Sequence, residues 1–238
     1  MTIPILEIDS LICGYDGQAV IKDISLALQR GSVVGLVGPN GHGKTTLLRA
    51  ISGLIKINSG SIRFKGEVVN GKDANQIVGM GIVHIPQGDL VFKEMTVEEN
   101  LLMGAYLPDA HARREERLSY VHRLFPILKE RATQIASGLS GGERRMLGVG
   151  RALMSTSDLL LIDEPSLGLA PIIIDQIYEV IKALRTEGRT LLIVEENASR
   201  LMDIADRIYL LDDGHIAWDG LGEDLMNNDV LMNTYLGG

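Results

Sequence analysis

Val33-Val34-Gly35-Leu36-Val37-Gly38-Pro39-Asn40-Gly41-His42-Gly43-Lys44-Thr45-Thr46 is the stretch that decides the fold. A strand-sized apolar run, Val33–Val37, leads directly into a loop of the form G-x-x-x-x-G-K-[ST], and a helix is expected from about Lys44 to Ser52. That strand–loop–helix context is what a phosphate loop requires. Its glycines, Gly38, Gly41 and Gly43, let backbone N–H groups turn toward phosphate oxygens, and the helix start adds a favourable dipole. Lys44 is expected to reach the β- and γ-phosphates of a bound nucleotide, and the Thr45 hydroxyl to bind Mg²⁺. Thr46 adds a donor toward the α-phosphate. Pro39, Asn40 and His42 complete the loop, His42 at a variable position that carries no message of its own.

Outward from this loop, strands and helices alternate. Strands are expected around Ile5–Ile8, Ile24–Leu28, Ile62–Phe64 and Ile82–Ile85, with a turn at Gly14-Tyr15-Asp16-Gly17. After residue 154 come a strand at Leu159–Ile162, a helix from about Ile172 to Arg185, and strands at Thr190–Val194 and Ile208–Leu211. Such alternation predicts a mainly parallel sheet covered by helices. Between Thr96 and Ala136 the apolar residues Leu101, Leu102, Leu118, Val121, Leu124 and Leu128 recur at helical spacing instead, which predicts a helical insert. Ser140-Gly141-Gly142 then opens a helix running to about Met154.

Composition sets the class. The 238 residues are 45% hydrophobic and 23% charged, ordinary values for one globular domain. No apolar run approaches the length of a membrane span. The N-terminus lacks a basic region and meets an acid at Glu7, which argues against a signal peptide. Cys13 is the only cysteine, so no internal disulfide forms and a reducing cytoplasm fits; a buried filler role is expected for it. A net charge of −8 argues against a nucleic-acid surface or an anionic-lipid patch. Arg113, Arg114 and Arg117 interleave with Glu115 and Glu116, the pattern of a solvated helix face.

Two further segments carry chemistry. Leu159-Leu160-Leu161-Ile162-Asp163-Glu164 is a strand ending in two acids. Alone, it could instead be a turn leading into a helix, since Pro165 and Ser166 follow. Beside a phosphate loop it reads as a Walker-B pattern, with Asp163 holding Mg²⁺ and Glu164 polarising the attacking water as general base. Leu139-Ser140-Gly141-Gly142-Glu143 supplies a second nest of N–H groups with a hydroxyl, suited to a γ-phosphate. One nucleotide does not need two such cradles in one chain.

At this point the sequence resembles the ABC ATPases, in which the signature loop of one subunit closes over ATP held by another. The resemblance implies an α/β fold with a P-loop NTPase (RecA-like) core, an N-terminal antiparallel β subdomain and an inserted helical subdomain. It gives one domain over 1–238, with core segments at about 1–87 and 155–238 and the helical part at about 88–154. It implies that Ser140, Gly141, Gly142 and Glu143 act in trans, that Gln87 senses Mg²⁺ and the membrane partner, and that Tyr15 stacks on adenine. Met95-Thr96-Val97-Glu98-Glu99-Asn100-Leu101-Leu102-Met103-Gly104-Ala105-Tyr106, Glu164-Pro165-Ser166-Leu167-Gly168-Leu169-Ala170-Pro171-Ile172-Ile173 and Tyr235-Leu236-Gly237-Gly238 look like the shorter ATPase subunit of branched-chain amino acid importers. Related importers carry short amides or urea. The implied partners are a second, non-identical ATPase subunit, two transmembrane permease subunits and an extracytoplasmic substrate-binding protein. The implied location is the cytoplasmic face of the membrane.

Two positions depart from the family pattern. Most relatives place a histidine, and this subfamily often a glutamine, where Leu192-Ile193-Val194-Glu195-Glu196-Asn197 puts Glu196. An ionised carboxylate cannot donate to a γ-phosphate, and like unit charges about 4 Å apart repel by about 4 kcal/mol at an effective dielectric near 20. Glu196 therefore turns away, or is protonated, or marks a slow site in a hydrolytically weak half of a heterodimer. Arg144-Arg145 replaces the common glutamines; cations at a helix N-terminus oppose its dipole, so both are expected to face solvent or a partner's acid. Chromosome-maintenance ATPases share the motifs, but the interval from Lys44 to Ser140 is too short for their coiled coil and the charge is wrong for DNA.

Overall fold

Asp16-Gly17 sets the first hairpin. The computed structural model describes residues 3–88, 90–228 and 231. Asp16 and Gly17 have φ of 50° and 80°, as a two-residue turn between twisted antiparallel strands demands. They join β1 (Leu6–Tyr15) to β2 (Gln18–Leu28). Gly14 and Tyr15 thus belong to the strand, not to the turn expected there, and both strands run longer than their apolar segments. β3 (Val33–Val37) is buried throughout and feeds α1 (Lys44–Ile51). β4 (Ile57–Phe64) and β5 (Glu67–Val68) return to the first sheet, which is antiparallel with order β2-β1-β4-β5.

Next come α2 (Ala74–Met80) and β6 (Ile82–Ile85). Helices fill the interval before the next strand: α3 (Val97–Leu102), α4 (Pro108–Ala112), α5 (Arg114–Leu124), α6 (Pro126–Glu130) and α7 (Gly141–Leu153). α3 starts at a capping box in which Thr96 and Glu99 satisfy each other's N–H groups, and Pro108 and Pro126 open α4 and α6. β7 (Leu159–Asp163), α8 (Pro171–Thr186), β8 (Thr190–Glu195), β9 (Arg207–Asp212), β10 (His215–Gly220) and α9 (Gly222–Met226) complete the described chain. Met1, Thr2 and the terminal Tyr235-Leu236-Gly237-Gly238 lie outside the described residues.

The second sheet has order β10-β9-β3-β8-β7-β6 and is parallel except for the β10–β9 pair. Its central strands are covered on both faces, which explains their unbroken apolar runs. Val33, Val37, Leu191 and Ile193 pack into a cluster with residues of α3, α5, α7 and α8. Val34, Leu36, Leu192 and Val194 point the other way, into a cluster with α1 and the antiparallel sheet. β3, β6, β7 and β8 all end at one edge, where open α/β sheets present their ligand crevice.

Candidate active site

The phosphate loop leaves β3 pressed against its neighbour. A Cβ on Gly38 would fall 2.1 Å from the Leu211 carbonyl oxygen of β9, so only glycine can turn there. Gly43, at φ 109°, caps α1 and aims the first N–H groups of the helix into the loop. Lys44 is 3% exposed. Its Nζ donates to the carbonyls of Gly38 (2.8 Å) and Pro39 (3.1 Å) and reaches Asn40 Oδ1 at 3.5 Å. His42 bonds Asp212 Oδ1 through Nδ1 at 2.9 Å, tying the loop to the end of β9.

The two acids stand where β7 meets this loop. Asp163 is 1% exposed, and its Oδ1 accepts from Thr45 Oγ1 at 3.1 Å. Burial pushes its carboxyl above the usual range; the Thr45 bond opposes this and the Glu164 charge adds to it. Its Oδ2 is buried without a partner, a costly state for a carboxylate oxygen. That orphaned oxygen beside the Thr45 hydroxyl is a hard-oxygen donor set of the kind Mg²⁺ takes, together with water and phosphate.

Glu164 adopts φ 43°, a left-handed conformation that costs a non-glycine residue on the order of 1–3 kcal/mol. Its N–H donates to the Val194 carbonyl at 3.0 Å. Its carboxylate accepts from Gln87 Nε2 (3.0 Å) and lies 3.5 Å from Lys44 Nζ. A cleft of about 210 Å³ is lined by Asn40, Gly41, Gly43, Lys44, Thr45, Thr46, Gln87 and Glu164. Residues far apart in sequence thus converge on a cation, an acid pair and a ring of N–H donors.

Other predicted residues stand outside that lining. Ser140 caps α7, its Oγ accepting from the Glu143 N–H at 3.3 Å while Glu143 Oε2 accepts from the Ser140 N–H at 2.8 Å. Glu143 also pairs with Arg131 at 3.0 Å. Gly141 is exposed and Gly142 half-buried beside them. Tyr15 is exposed at the end of β1, its hydroxyl accepting from Arg49 Nη1 at 3.2 Å. Glu196, just beyond β8, is exposed.

Arg145 corrects the expectation for the arginine pair. Facing neither solvent nor a partner, it is 4% exposed and donates to four main-chain carbonyls, of Pro86, Gly88, Asp163 and Glu164. Arg144 donates to the Leu139 carbonyl. Sequence reasoning also missed Glu195, which is 2% exposed and accepts from Tyr178 Oη (2.7 Å), Ser166 Oγ (3.0 Å) and the Ser166 N–H (3.2 Å). Burial raises its carboxyl above the usual range, against those hydrogen bonds. An acid closing the apolar run Leu191–Val194 of β8 was the available signal.

A family model described as ABC transporter matches residues 21–167. The chain belongs to the ABC transporter family. It is an ABC ATPase, which binds ATP and hydrolyses it. It is 45% identical to the high-affinity branched-chain amino acid transport ATP-binding protein BraG of Pseudomonas aeruginosa, over 98% of this chain and all of that one. A probable branched-chain amino acid transport ATP-binding protein, LivF, of Archaeoglobus fulgidus is 34% identical over 95% of this chain and 96% of its own. The lipopolysaccharide export system ATP-binding protein LptB of Haemophilus influenzae is 33% identical over 98% and 97%. Among solved structures, the ADP conformation of MJ1267, an ATP-binding cassette of an ABC transporter, is similar with a TM-score of 0.83 and 29% identity, covering 98% of this chain and 96% of that one.

Proposed function

We propose that this chain energises an importer of branched-chain or related amino acids. The observation that carries the reading is the 45% identity to BraG across essentially both chains, well above the identity to LptB. The chain pairs head-to-tail with a second, non-identical ATPase subunit on two permease subunits, which receive substrate from an extracytoplasmic binding protein. It is held at the cytoplasmic face through those permeases; among the described residues no helix is long and apolar enough to cross a membrane. The domain is single, with its helical part at about 88–154. A cavity of about 670 Å³, whose lining includes Thr45, Gln87, Asp163, Leu90, Phe92 and Tyr106, would offer a largely apolar surface to a permease segment.

Within the site, Lys44 exchanges its loop carbonyls for β- and γ-phosphate oxygens, and the backbone N–H groups of Asn40, Gly41, His42, Gly43, Lys44, Thr45 and Thr46 cradle the phosphate chain, Gly38 and Pro39 shaping the turn that presents them. Thr45, Asp163 and Gln87 would hold Mg²⁺, which when bound offsets the charge of the phosphates. Glu164 accepts a proton from the attacking water as its oxygen bonds to the γ-phosphorus and the bond to the β-phosphate oxygen breaks. Tyr15 stacks on adenine. Ser140, Gly141, Gly142 and Glu143 of the partnering subunit close over the γ-phosphate, and Glu196 stands at the switch position. Proteoliposomes carrying the complete transporter test the assignment. ATP-driven accumulation of labelled leucine, lost with Lys44→Ala, is expected; absence of amino acid uptake with intact lipopolysaccharide extraction would replace the import reading by export.

A further inference from the structure

Arg145 lies in the second turn of α7, and its two terminal nitrogens meet four carbonyls. Nη1 donates to Pro86 (2.6 Å) and Gly88 (2.8 Å), and Nη2 to Asp163 (2.7 Å) and Glu164 (3.1 Å). The first two flank Gln87; the other two belong to the consecutive acids at the end of β7. One rigid, planar cation therefore fixes the backbone on both sides of the Gln87–Glu164 hydrogen bond. Glu164 sits at φ 43° with its N–H held by Val194 and its carbonyl held by Arg145. A left-handed non-glycine residue persists only where its surroundings over-determine it, and Arg145 supplies the second of those two clamps.

We propose that Arg145 is a positioning residue for ATP hydrolysis, fixing the left-handed backbone of Glu164 and the neighbouring Gln87 so that the Glu164 carboxylate is aimed into the cleft. The inference rests on the reading of Glu164 as the group that takes the proton of the attacking water. Because the same side chain rides on α7, whose first residues follow Ser140, the aim of this chain's own acid is mechanically tied to the loop it offers to a partner's nucleotide. Lysine cannot replace the fork, since one ammonium has three N–H groups in a tetrahedral array. Glutamine offers two donors and no charge.

A double-mutant cycle in this chain, assembled with its partner ATPase subunit and with hydrolysis at the other site blocked, tests this, reading single-turnover hydrolysis of MgATP and affinity for a fluorescent ATP analogue. Arg145→Gln is expected to lower turnover at least about tenfold while leaving affinity within about threefold. In a Glu164→Gln background the same substitution should change the residual turnover less than about twofold, because the group it aims is already gone. A tenfold loss in both backgrounds, or parent-like turnover of Arg145→Gln, or weakened affinity with unchanged turnover, would each overturn the proposal. Parent-like turnover of Glu164→Gln alone would instead remove the proton-acceptor reading, and this inference with it. Should thermal unfolding show that Arg145→Gln does not fold, Arg145→Lys runs through the same cycle with the same outcomes.

Discussion

His84 shows how a single side chain can impose a pH dependence on stability. Ser52 Oγ donates to the Leu48 carbonyl at 2.7 Å, so it can only accept from His84 Nδ1, 3.0 Å away. That fixes the tautomer and leaves Nε2 a buried acceptor without a partner. Burial, with Arg49 adding to it, lowers the imidazole from 6.5 to about 4. Between those values the unfolded chain binds a proton that the folded chain refuses, so stability is full above about pH 6.5 and falls as the pH drops, by about 1.4 kcal/mol per unit. Chemical unfolding at pH 7 and pH 5 should show the parent losing about 2 kcal/mol more than His84→Asn; equal losses would contradict the assignment. Glu196→Gln should raise turnover of the assembled complex severalfold at neutral pH if the carboxylate faces the γ-phosphate of a closed site, and steady-state ATPase with a ratio of one would exclude it from that role. The loop residues Gly38–Thr46 and the acids Asp163 and Glu164 were legible in the sequence because their chemistry is local to one strand end. Arg145 was not: its acceptors at Pro86 and Gly88 are brought to it only by the packing of β6 and α7, and dipole reasoning alone sent it to solvent or to a partner's acid.

Helix and strand boundaries followed the same division. The strands β3, β7 and β8 and the helices α1, α7 and α8 were readable because each is apolar over a full face and bounded by glycine, proline or a cap. The reading passed over α2, where Ile77 is the buried residue, and over β10, whose residues alternate between exposed and half-buried. The charge pattern of α5 misled in one place. Arg117 does not face solvent alone: it donates to the Ser155 carbonyl (2.5 Å) and to Thr156 Oγ1 (3.0 Å), fastening α5 to the chain beyond α7. Packing of the helical segment is tight enough to test with one methyl group. A Cβ on Gly104 would fall 1.9 Å from the Arg151 carbonyl oxygen of α7, whereas one on Gly79 in α2 meets no atom within 4 Å. Urea unfolding should therefore show Gly104→Ala destabilised by about 1–3 kcal/mol and Gly79→Ala unchanged or stabilised by up to about 1 kcal/mol. Similar midpoints for the two variants would mean that the contact between this turn and α7 is not held in solution.

For the whole molecule, the antiparallel sheet and the six-stranded sheet sandwich α1, so the phosphate loop is anchored from both sides while the carboxyl ends of four parallel strands stay open to nucleotide. Alternation of elements foretold the parallel sheet; the register that brings Asp163 beside Thr45 depends on long-range pairing that no local pattern encodes. Ser140-Gly141-Gly142 opens α7 outside the lining of the nucleotide cleft, as the proposed trans arrangement, in which a complete site takes that loop from another subunit, requires. Light scattering should show the chain monomeric without nucleotide and paired with its partner ATPase subunit in MgATP when hydrolysis is blocked; unchanged mass at high concentration would count against the trans arrangement. The central claim is that Glu164 accepts the water's proton while Lys44 and the loop bind the nucleotide. Phosphate release by Glu164→Gln, measured beside its ATP affinity, tests it most directly. Release at least about a hundredfold slower than the parent with affinity within about threefold is the predicted result, and release at the parent's rate would contradict it.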